Sequence, residues 1–562
     1  MNLLKLKNIA LFKRYPISTA TLAALIALYQ ATLLNLGYYK QVFSLLKIEG
    51  TTDFFFLLSM PVVIFCVVFA VLNVALFPRL IKLVGILFIL IGAPLTYFIS
   101  TFKIVIDRDM LQNALETNQA ESAALITPSL IMYIVLLGLI PALIVILLKV
   151  KPIGRVIPYL LRRIVSIVGS FFMIGLIAFC LYKNYATFFR NNETLIRYLL
   201  PSNYIAAIYK QYQYIKVSNM PFITIGEDAY RIPQAYDNGK KTLMVLLVGE
   251  TARAQNFALN GYEKPTNPYL SQEKNGINFS QTSSCGTFTA YSVPCMFSNM
   301  TRSQYDPISA AHQTNILDIL KATGVNLLWR DNDDGCKGVC KRIETENVTE
   351  IYKNDPELCK NGYCYDQALL NDLDKYIDNL DGHNKDTLIT LHMIGSHGPT
   401  YFRRYPDQFK TFQPTCDTNE INNCDQQALI NTYDNTIVYT DYVLKQTIEL
   451  LKKYDDKYNL IVMYMSDHGE SLGENGIYLH SMPYSVAPKE QTHIPFFVWL
   501  SDNFIQQKGI QLACMQQRGS QESFSHDNLF HSLLGIFNVK TSLYQPNLDI
   551  FNACETEPNT GK

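Results

Sequence analysis

Two threonines, Thr287 and Thr289, stand in the segment SSCGTFTAYSVPCMFS between Cys285 and Cys295, with Pro294 following them. A threonine hydroxyl is a weak nucleophile unless a base or a cation lowers its pKa, so a reactive one needs such groups from elsewhere in the chain. Glu250 follows the apolar run TLMVLLVG, and Asp467 and His468 follow NLIVMYMS. His397 lies in GSHGPT after TLITLHM, and His480 lies in YLHSMPY. Two carboxylates and a histidine are oxygen and nitrogen ligands suited to zinc, and a hydroxyl can fill a fourth position. Taken singly, each has a plainer reading, because Asp and His after a strand also cap the next helix. Their shared position beyond apolar runs groups them. Pro294 fits the first turn of a helix, which predicts a helix start at residues 290–293 with Thr289 immediately upstream. Backbone N–H groups at such an end stabilise an alkoxide or a phosphate, which favours Thr289 over Thr287, but only weakly.

The runs that carry these groups are TLMVLLVGE (242–250), VNLLWRD (325–331), TLITLHM (387–393), NLIVMYMSD (459–467) and HIPFFVWLS (493–501). None alternates apolar with polar residues, and helical stretches such as YTDYVLKQTIELLKKY (439–454) separate several of them. Strands of this kind are covered on both faces. An α/β domain with a mostly parallel sheet is expected, with ligands bound beyond the carboxyl ends of its strands.

Upstream the composition changes. Residues 1–183 hold five apolar runs, about 17–37, 53–77, 80–100, 125–148 and 164–182. Each is long enough to cross a bilayer, which takes about 20 residues. With the N-terminus inside, the inner segments carry Lys5, Lys7, Lys13, Arg14, Arg79, Lys82, Lys149, Lys151, Arg155, Arg162 and Arg163. The outer loops carry only Lys40, Lys47, Lys103 and Arg108. This bias satisfies the positive-inside rule and delivers the chain after residue 183 to the outer side. The organisation expected is a multi-domain membrane protein: a transmembrane domain over 1–183, bridging amphipathic helices over 184–239 that lie along the membrane surface, and a catalytic domain over 240–562.

Cysteine usage points the same way. Of twelve cysteines, Cys66 and Cys180 lie in apolar runs, and the other ten all follow residue 284. Local spacing pairs Cys285 with Cys295, Cys336 with Cys340, Cys359 with Cys364 and Cys416 with Cys424, leaving Cys514 with Cys554. An even number in an oxidising compartment reads as disulfides, and the paired CxxC spacing of zinc-thiolate sites is missing. The 48 basic and 48 acidic residues balance, which argues against a nucleic-acid partner.

The ordered set VGETAR, CGTFTAYSVPCMFS, CKGVC, HMIGSHGPTYFRRYP, SDHGESLGENGIYLHSMPY and APKEQTHIPFF resembles the phosphoethanolamine transferases of Gram-negative inner membranes. The lipid A enzymes, including the mobile colistin resistance proteins, are the nearest match, and the resemblance spans nearly the whole chain. It implies an α/β/α alkaline phosphatase/sulfatase-like catalytic domain in the periplasm, attached to a five-helix transmembrane domain. It implies zinc on Glu250, Thr289, Asp467 and His468, with Thr289 as the nucleophile. His397 and His480 match histidines placed at the phosphoryl group or at a second, less constant zinc, and Lys337 matches a residue lining the donor pocket. Asp333 stands where many relatives carry asparagine. Asn113, Thr117 and Glu121, in MLQNALETNQAES, recur at helical spacing and match a stripe facing the lipid headgroup.

The reaction so implied moves phosphoethanolamine from phosphatidylethanolamine to a phosphate of lipid A through a phosphothreonine-type intermediate, by a monomeric enzyme in the bilayer. Reduced negative surface charge and resistance to polymyxins such as colistin would follow. Other acceptors, namely core sugars, periplasmic glucans or proteins, stay open. A sulfatase would need a Cys or Ser in a C/S-x-P-x-R setting, which TFTAYSVPCMF lacks. A glycerophosphotransferase would share the fold and the threonine but not the cysteine-rich loops. A non-catalytic receptor would not require Thr289.

Overall fold

The computed structural model describes residues 16–46, 48, 50–74, 77–117, 119–217, 220–233, 238–333, 335–360, 362–380 and 385–556. Lys5, Lys7, Lys13, Arg14 and Lys47 of the charge argument lie outside them. The chain forms two compact units, one of residues 1–111 and 126–210, the other of residues 112–125 and 211–562.

Among the described residues the first unit contains five helices long and apolar enough to cross a membrane: Thr19–Leu45, Thr51–Val74, Pro78–Phe102, Pro128–Leu147 and Val156–Arg190. Local chemistry sets their starts. The Ser18 hydroxyl accepts from Thr21 N–H, the Thr127 hydroxyl accepts from Leu130 N–H ahead of Pro128, and Pro78 opens its own helix. Glycines let the helices meet closely. A Cβ on Gly85 would stand 2.4 Å from Ile26 Cδ1, and one on Gly37 2.5 Å from Ile99 Cγ2. Phe171, Phe172 and Phe179 point outward from the last helix, which runs well beyond the expected 164–182 at both ends. Within the segment read as a surface bridge, helix Ser202–Val217 exposes Ile205, Ile208, Tyr209, Tyr212 and Ile215, an apolar face at helical spacing.

The second unit is built on a seven-stranded sheet. Its strands are β1 (Lys241–Gly249), β2 (Gly276–Asn278), β3 (Asn326–Asp331), β4 (Glu344–Asn347), β5 (Thr387–His392), β6 (Tyr458–Ser466) and β7 (Phe496–Leu500), in the order β2-β7-β6-β1-β5-β3-β4. Strands β6, β1, β5, β3 and β4 pair in parallel, and β7 runs antiparallel to both of its neighbours. Successive side chains of β1 and β6 point to opposite faces, yet every residue from Thr242 to Gly249 and from Tyr458 to Ser466 is buried. The sheet is therefore covered on both sides.

Three expectations are corrected here. The strand expected over 493–501 is split by Pro495 into His493–Ile494 and β7, and β7 reverses the direction of an otherwise parallel sheet. Strands β2 and β4 went unrecognised because they are short; β4 is the polar, largely exposed edge sequence ETEN. The helical face drawn through Asn113, Thr117 and Glu121 is interrupted. Helix Arg108–Glu116 ends before Thr117, whose hydroxyl donates to the Asn113 carbonyl at 2.8 Å, and a separate helix covers Gln119–Ala124.

The register brings the polar groups to one edge. Ser466 pairs with Gly249, Val248 with His392 and His392 with Asp331, so the carboxyl ends of four adjacent strands lie side by side. The loop after β5 then wraps back, with Ser396 N–H donating to the Glu250 carbonyl at 3.0 Å. Gly395 makes this approach possible: its φ is +49°, and a Cβ there would stand 2.5 Å from that same carbonyl oxygen. Gly395→Ala should therefore cost about 1–3 kcal/mol of stability through combined strain and overpacking. Thermal unfolding of the full chain in detergent checks this, and an unchanged midpoint would contradict it.

Candidate active site

Thr289 is the first residue of the helix Thr289–Met296, one position inside the expected boundary, and Pro294 lies in its interior rather than its first turn. The helix is so short that the missing proline N–H affects only its closing turn. A three-stranded sheet holds the loop ahead of it. Gln281–Ser283 pairs antiparallel with His493–Ile494 and parallel with Ser523–Ser525. Within the loop, Gly286 N–H donates to Ser292 Oγ at 3.0 Å, and the Ser284 hydroxyl donates to the Gly286 carbonyl at 2.6 Å.

The two threonines have different partners. The Thr287 hydroxyl donates to the Met482 carbonyl at 2.6 Å, a bond that fixes the loop. The Thr289 hydroxyl faces the Glu250 carboxylate at 3.2 and 3.1 Å. Glu250 is fully buried beside Asp467 and His468, and the ligand atoms of these three residues lie within 4.8 Å of one another.

Hydrogen bonds orient the group. The backbone N–H groups of Thr251 and His468 donate to Asp467 Oδ1 at 3.2 and 2.7 Å, which leaves Oδ2 turned inward. His468 Nδ1–H donates to the Gly469 carbonyl at 2.9 Å, so Nε2 presents its lone pair 3.4 Å from Glu250 and 3.3 Å from Asp467. Asp467 Oδ2 and His468 Nε2 are buried without a hydrogen-bond partner among the described residues. Burial, reinforced by Asp467 and then Asp333, pushes the Glu250 carboxyl well above the usual carboxylate range. Inward-facing, unsatisfied oxygen and nitrogen atoms around shared negative charge are the donor set of a divalent metal site, and these residues fit one.

His480 and His397 stand beside this group. The His480 ring centroid lies 4.6 Å from that of His468 and 5.7 Å from that of His397. Its Nδ1 faces Glu470 at 3.4 Å, and burial outweighs that carboxylate and lowers its pKa. Lys337 instead lines a cavity of about 400 Å³ together with Gln112, Glu116, Ala290, Lys341 and Arg342. Asn113 is absent from that lining, and the Glu121 side chain lies outside the described residues. The ten later cysteines form the bridges Cys285–Cys295, Cys336–Cys340, Cys359–Cys364, Cys416–Cys424 and Cys514–Cys554.

Sequence reading missed several groups. His392 and Asp331 close β5 and β3, and the strand-end rule that selected Glu250 would have selected them too. Their ring and carboxylate meet at 3.0 Å; although burial opposes charge, Asp331 and then Asp333 and Glu250 hold the His392 pKa up at about 9. Asp366 accepts from Ile394 and Gly395 N–H at 2.8 and 2.9 Å and so anchors the His397 loop. It lies in a short helical turn that carries no sequence signal. His526 follows Ser525, whose partner in register is Ser283. Its Nδ1 accepts from Cys285 N–H at 3.0 Å and its Nε2–H donates to the Ser466 carbonyl at 2.9 Å, tying the threonine loop to the end of β6.

Residues 242–539 match the sulfatase family model. Fold and site together therefore define a membrane-borne enzyme with a sulfatase-family domain, in which a buried hydroxyl stands beside a metal-type ligand set. Residues 64–215 match a second model, described as phosphoethanolamine transferase EptA/EptB. The chain is 47% identical to phosphoethanolamine transferase EptA of Salmonella typhimurium, over 94% of this chain and 96% of that one. It is 37% identical to phosphatidylethanolamine transferase Mcr-1 of Escherichia coli, over 95% and 97%. The solved structure of the integral membrane protein lipooligosaccharide phosphoethanolamine transferase A from Neisseria meningitidis superposes with a TM-score of 0.92 at 41% identity, covering 96% of this chain and 100% of that one. The chain belongs to the EptA/EptB phosphoethanolamine transferase family.

The His526 link yields a pH prediction. Burial lowers its pKa to about 4, whereas an unfolded histidine titrates at about 6.5. Its contribution to stability is complete above the unfolded value and declines as pH falls toward the folded value, by up to about 1.4 kcal/mol per unit. The thermal midpoint of the wild type should fall more steeply between pH 6.5 and 4 than that of His526→Gln. Identical slopes would refute the assignment.

Proposed function

We propose that this enzyme transfers phosphoethanolamine from phosphatidylethanolamine to a phosphate of lipid A, on the periplasmic face of the inner membrane, with Thr289 as the nucleophile. The observation that carries this reading is the Thr289 hydroxyl placed on the Glu250 carboxylate, beside Asp467 and His468. Glu250, Thr289, Asp467 and His468 would hold one zinc ion, which when bound supplies positive charge that lowers the hydroxyl pKa and offsets charge on the phosphoryl oxygens.

Thr289 Oγ attacks phosphorus as its proton passes toward Glu250, a new P–O bond forms, and the bond from phosphorus to the glycerol oxygen breaks. Diacylglycerol departs once that oxygen is protonated, a step assigned to His397. Phosphoethanolamine is left on Thr289. A lipid A phosphate oxygen then attacks the same phosphorus and Thr289 Oγ leaves, recovering its proton. His480 is suited to act as proton acceptor here, because burial favours its neutral form and Nδ1 faces Glu470, leaving Nε2 available.

Substrate binding is assigned to Asn113, Thr117, Glu121 and Lys337, with His397 and His480 at the phosphoryl group. The cavity lined by Lys337, Lys341, Arg342 and Glu116 supports the Lys337 part of this assignment, since cations match phosphate, and Glu116 offers a carboxylate for the ethanolamine ammonium. Every residue assigned belongs to one chain, and the enzyme is read as a monomer. The product gains an ammonium group, and the less negative surface binds cationic peptides such as colistin more weakly. The likeness to a lipooligosaccharide phosphoethanolamine transferase supports a lipopolysaccharide-type acceptor such as lipid A over periplasmic glucans or proteins.

Thr289→Ala should lower transfer by at least about a thousandfold while the protein still inserts into the membrane. Mass spectrometry of lipid A from cells expressing either form reads this directly. Modification retained by the variant would refute the nucleophile, and unmodified lipid A with expressed wild type would refute the acceptor. Chelation should likewise abolish transfer by purified enzyme, and stoichiometric zinc should restore it; transfer that survives metal removal would refute the zinc assignment.

A further inference from the structure

A second buried ligand group stands on the same sheet edge, and of its members the transfer steps above use Glu250 alone. The His392 ring at the end of β5 is fully buried. Its Nδ1 lies 3.0 Å from Asp331 Oδ2, which also accepts from the Trp329 indole N–H at 2.9 Å. Asp331 Oδ1 accepts from the backbone N–H groups of Asp333 and Gly335 at 3.1 and 3.0 Å. Three N–H donors converge on this carboxyl group and favour its ionised form, which places the proton of the His392–Asp331 bond on Nδ1. Nε2 is therefore the position for a lone pair or an exchangeable proton. It makes no hydrogen bond among the described residues. It is directed at Asp333, whose Oδ2 lies 3.8 Å away and whose side chain is only 6% exposed. The ligand atoms of His392, Asp333 and Glu250 all lie within 4.8 Å of one another.

Imidazole held through its other nitrogen by a carboxylate is how proteins aim histidine at a metal. Two carboxylates from separate elements complete a set of three ligands with room for a further oxygen. We propose that Glu250, Asp333 and His392 bind a second divalent cation of zinc-like preference, with the Glu250 carboxylate shared between this ion and the one held by Asp467 and His468. The sharing rests on the zinc reading above; the ligand set of His392 and Asp333 does not. The pair is separate from His397 and His480. Two cations on one bridging carboxylate form the arrangement that clamps a phosphoryl group from two sides. The rival occupant is a proton on His392 Nε2, neutralising the same carboxylates.

Metal content separates the two. The full chain in detergent, stripped by chelation and dialysed against zinc, should retain two equivalents by plasma mass spectrometry. Asp333→Asn and Asp467→Asn should each retain one. Trp329 supplies a local readout, with Trp499→Phe removing the other indole. Cobalt(II) should quench Trp329 fluorescence in that background, and Asp333→Asn should lose most of the quenching while its thermal midpoint stays within a few degrees. A wild type that binds one ion, lost in Asp467→Asn and kept in Asp333→Asn, would overturn the second site and leave the first standing. A wild type that binds no ion would overturn both.

Discussion

Two carboxylates, Glu250 and Asp467, are buried side by side at the carboxyl edge of a parallel sheet, and the rest of the catalytic unit answers to that placement. An ionised carboxylate withdrawn from water without a partner costs several kcal/mol. A second one alongside raises that cost, which is why the Glu250 carboxyl is driven upward by burial and then by Asp467. Such an edge must take up positive charge, either as protons or as metal. It is tolerated because the strands beneath it, β6, β5 and β1 from Thr242 onward, are buried and cannot shift to relieve it.

The loops around the edge are fixed by buried polar anchors rather than by apolar packing. Asp366 gathers the N–H groups of the His397 loop. Arg253 donates to Asn256, to the Glu470 carbonyl and to Glu474, and so holds the segment that carries Glu470. His526 joins the threonine loop to β6. Each anchor lies on a different element from the group it orients, so position at the site depends on the assembled sheet. The Cys285–Cys295 bridge closes the one loop whose hydroxyl must meet the carboxylates, and it acts alongside these bonds.

What the sequence made legible follows from range. Apolar runs are local, and they marked both the five long helices and the five longest strands of the sheet. Groups directly after those runs were legible too, because a parallel sheet sends every such residue to one edge. The direction of β7 was not, since an apolar pentapeptide reads alike in either sense. Strand β4 is polar and takes its identity from pairing with β3 alone. The break at Thr117 rests on one hydroxyl capturing a carbonyl, which spacing cannot distinguish from a continuing helix. Asp366 and His526 act through contacts distant in sequence, so no window along the chain contains both partners.

The choice between Thr287 and Thr289 shows how such distant contacts become chemistry. Both are buried hydroxyls in one short segment, and they share an intrinsic pKa. Thr287 donates to a carbonyl, an acceptor that cannot take the proton, so the bond locks the hydroxyl in its unreactive form. Thr289 donates to the Glu250 carboxylate, an acceptor that can take the proton. A cation held at Asp467 and His468 would lower the hydroxyl pKa from the donor side. The helix that begins at Thr289 turns its side chain toward β1, whereas Thr287, in the preceding loop, pairs through its backbone carbonyl with Ser481 N–H. The two hydroxyls are therefore set apart by which partner each one meets, and that is decided by where the helix starts.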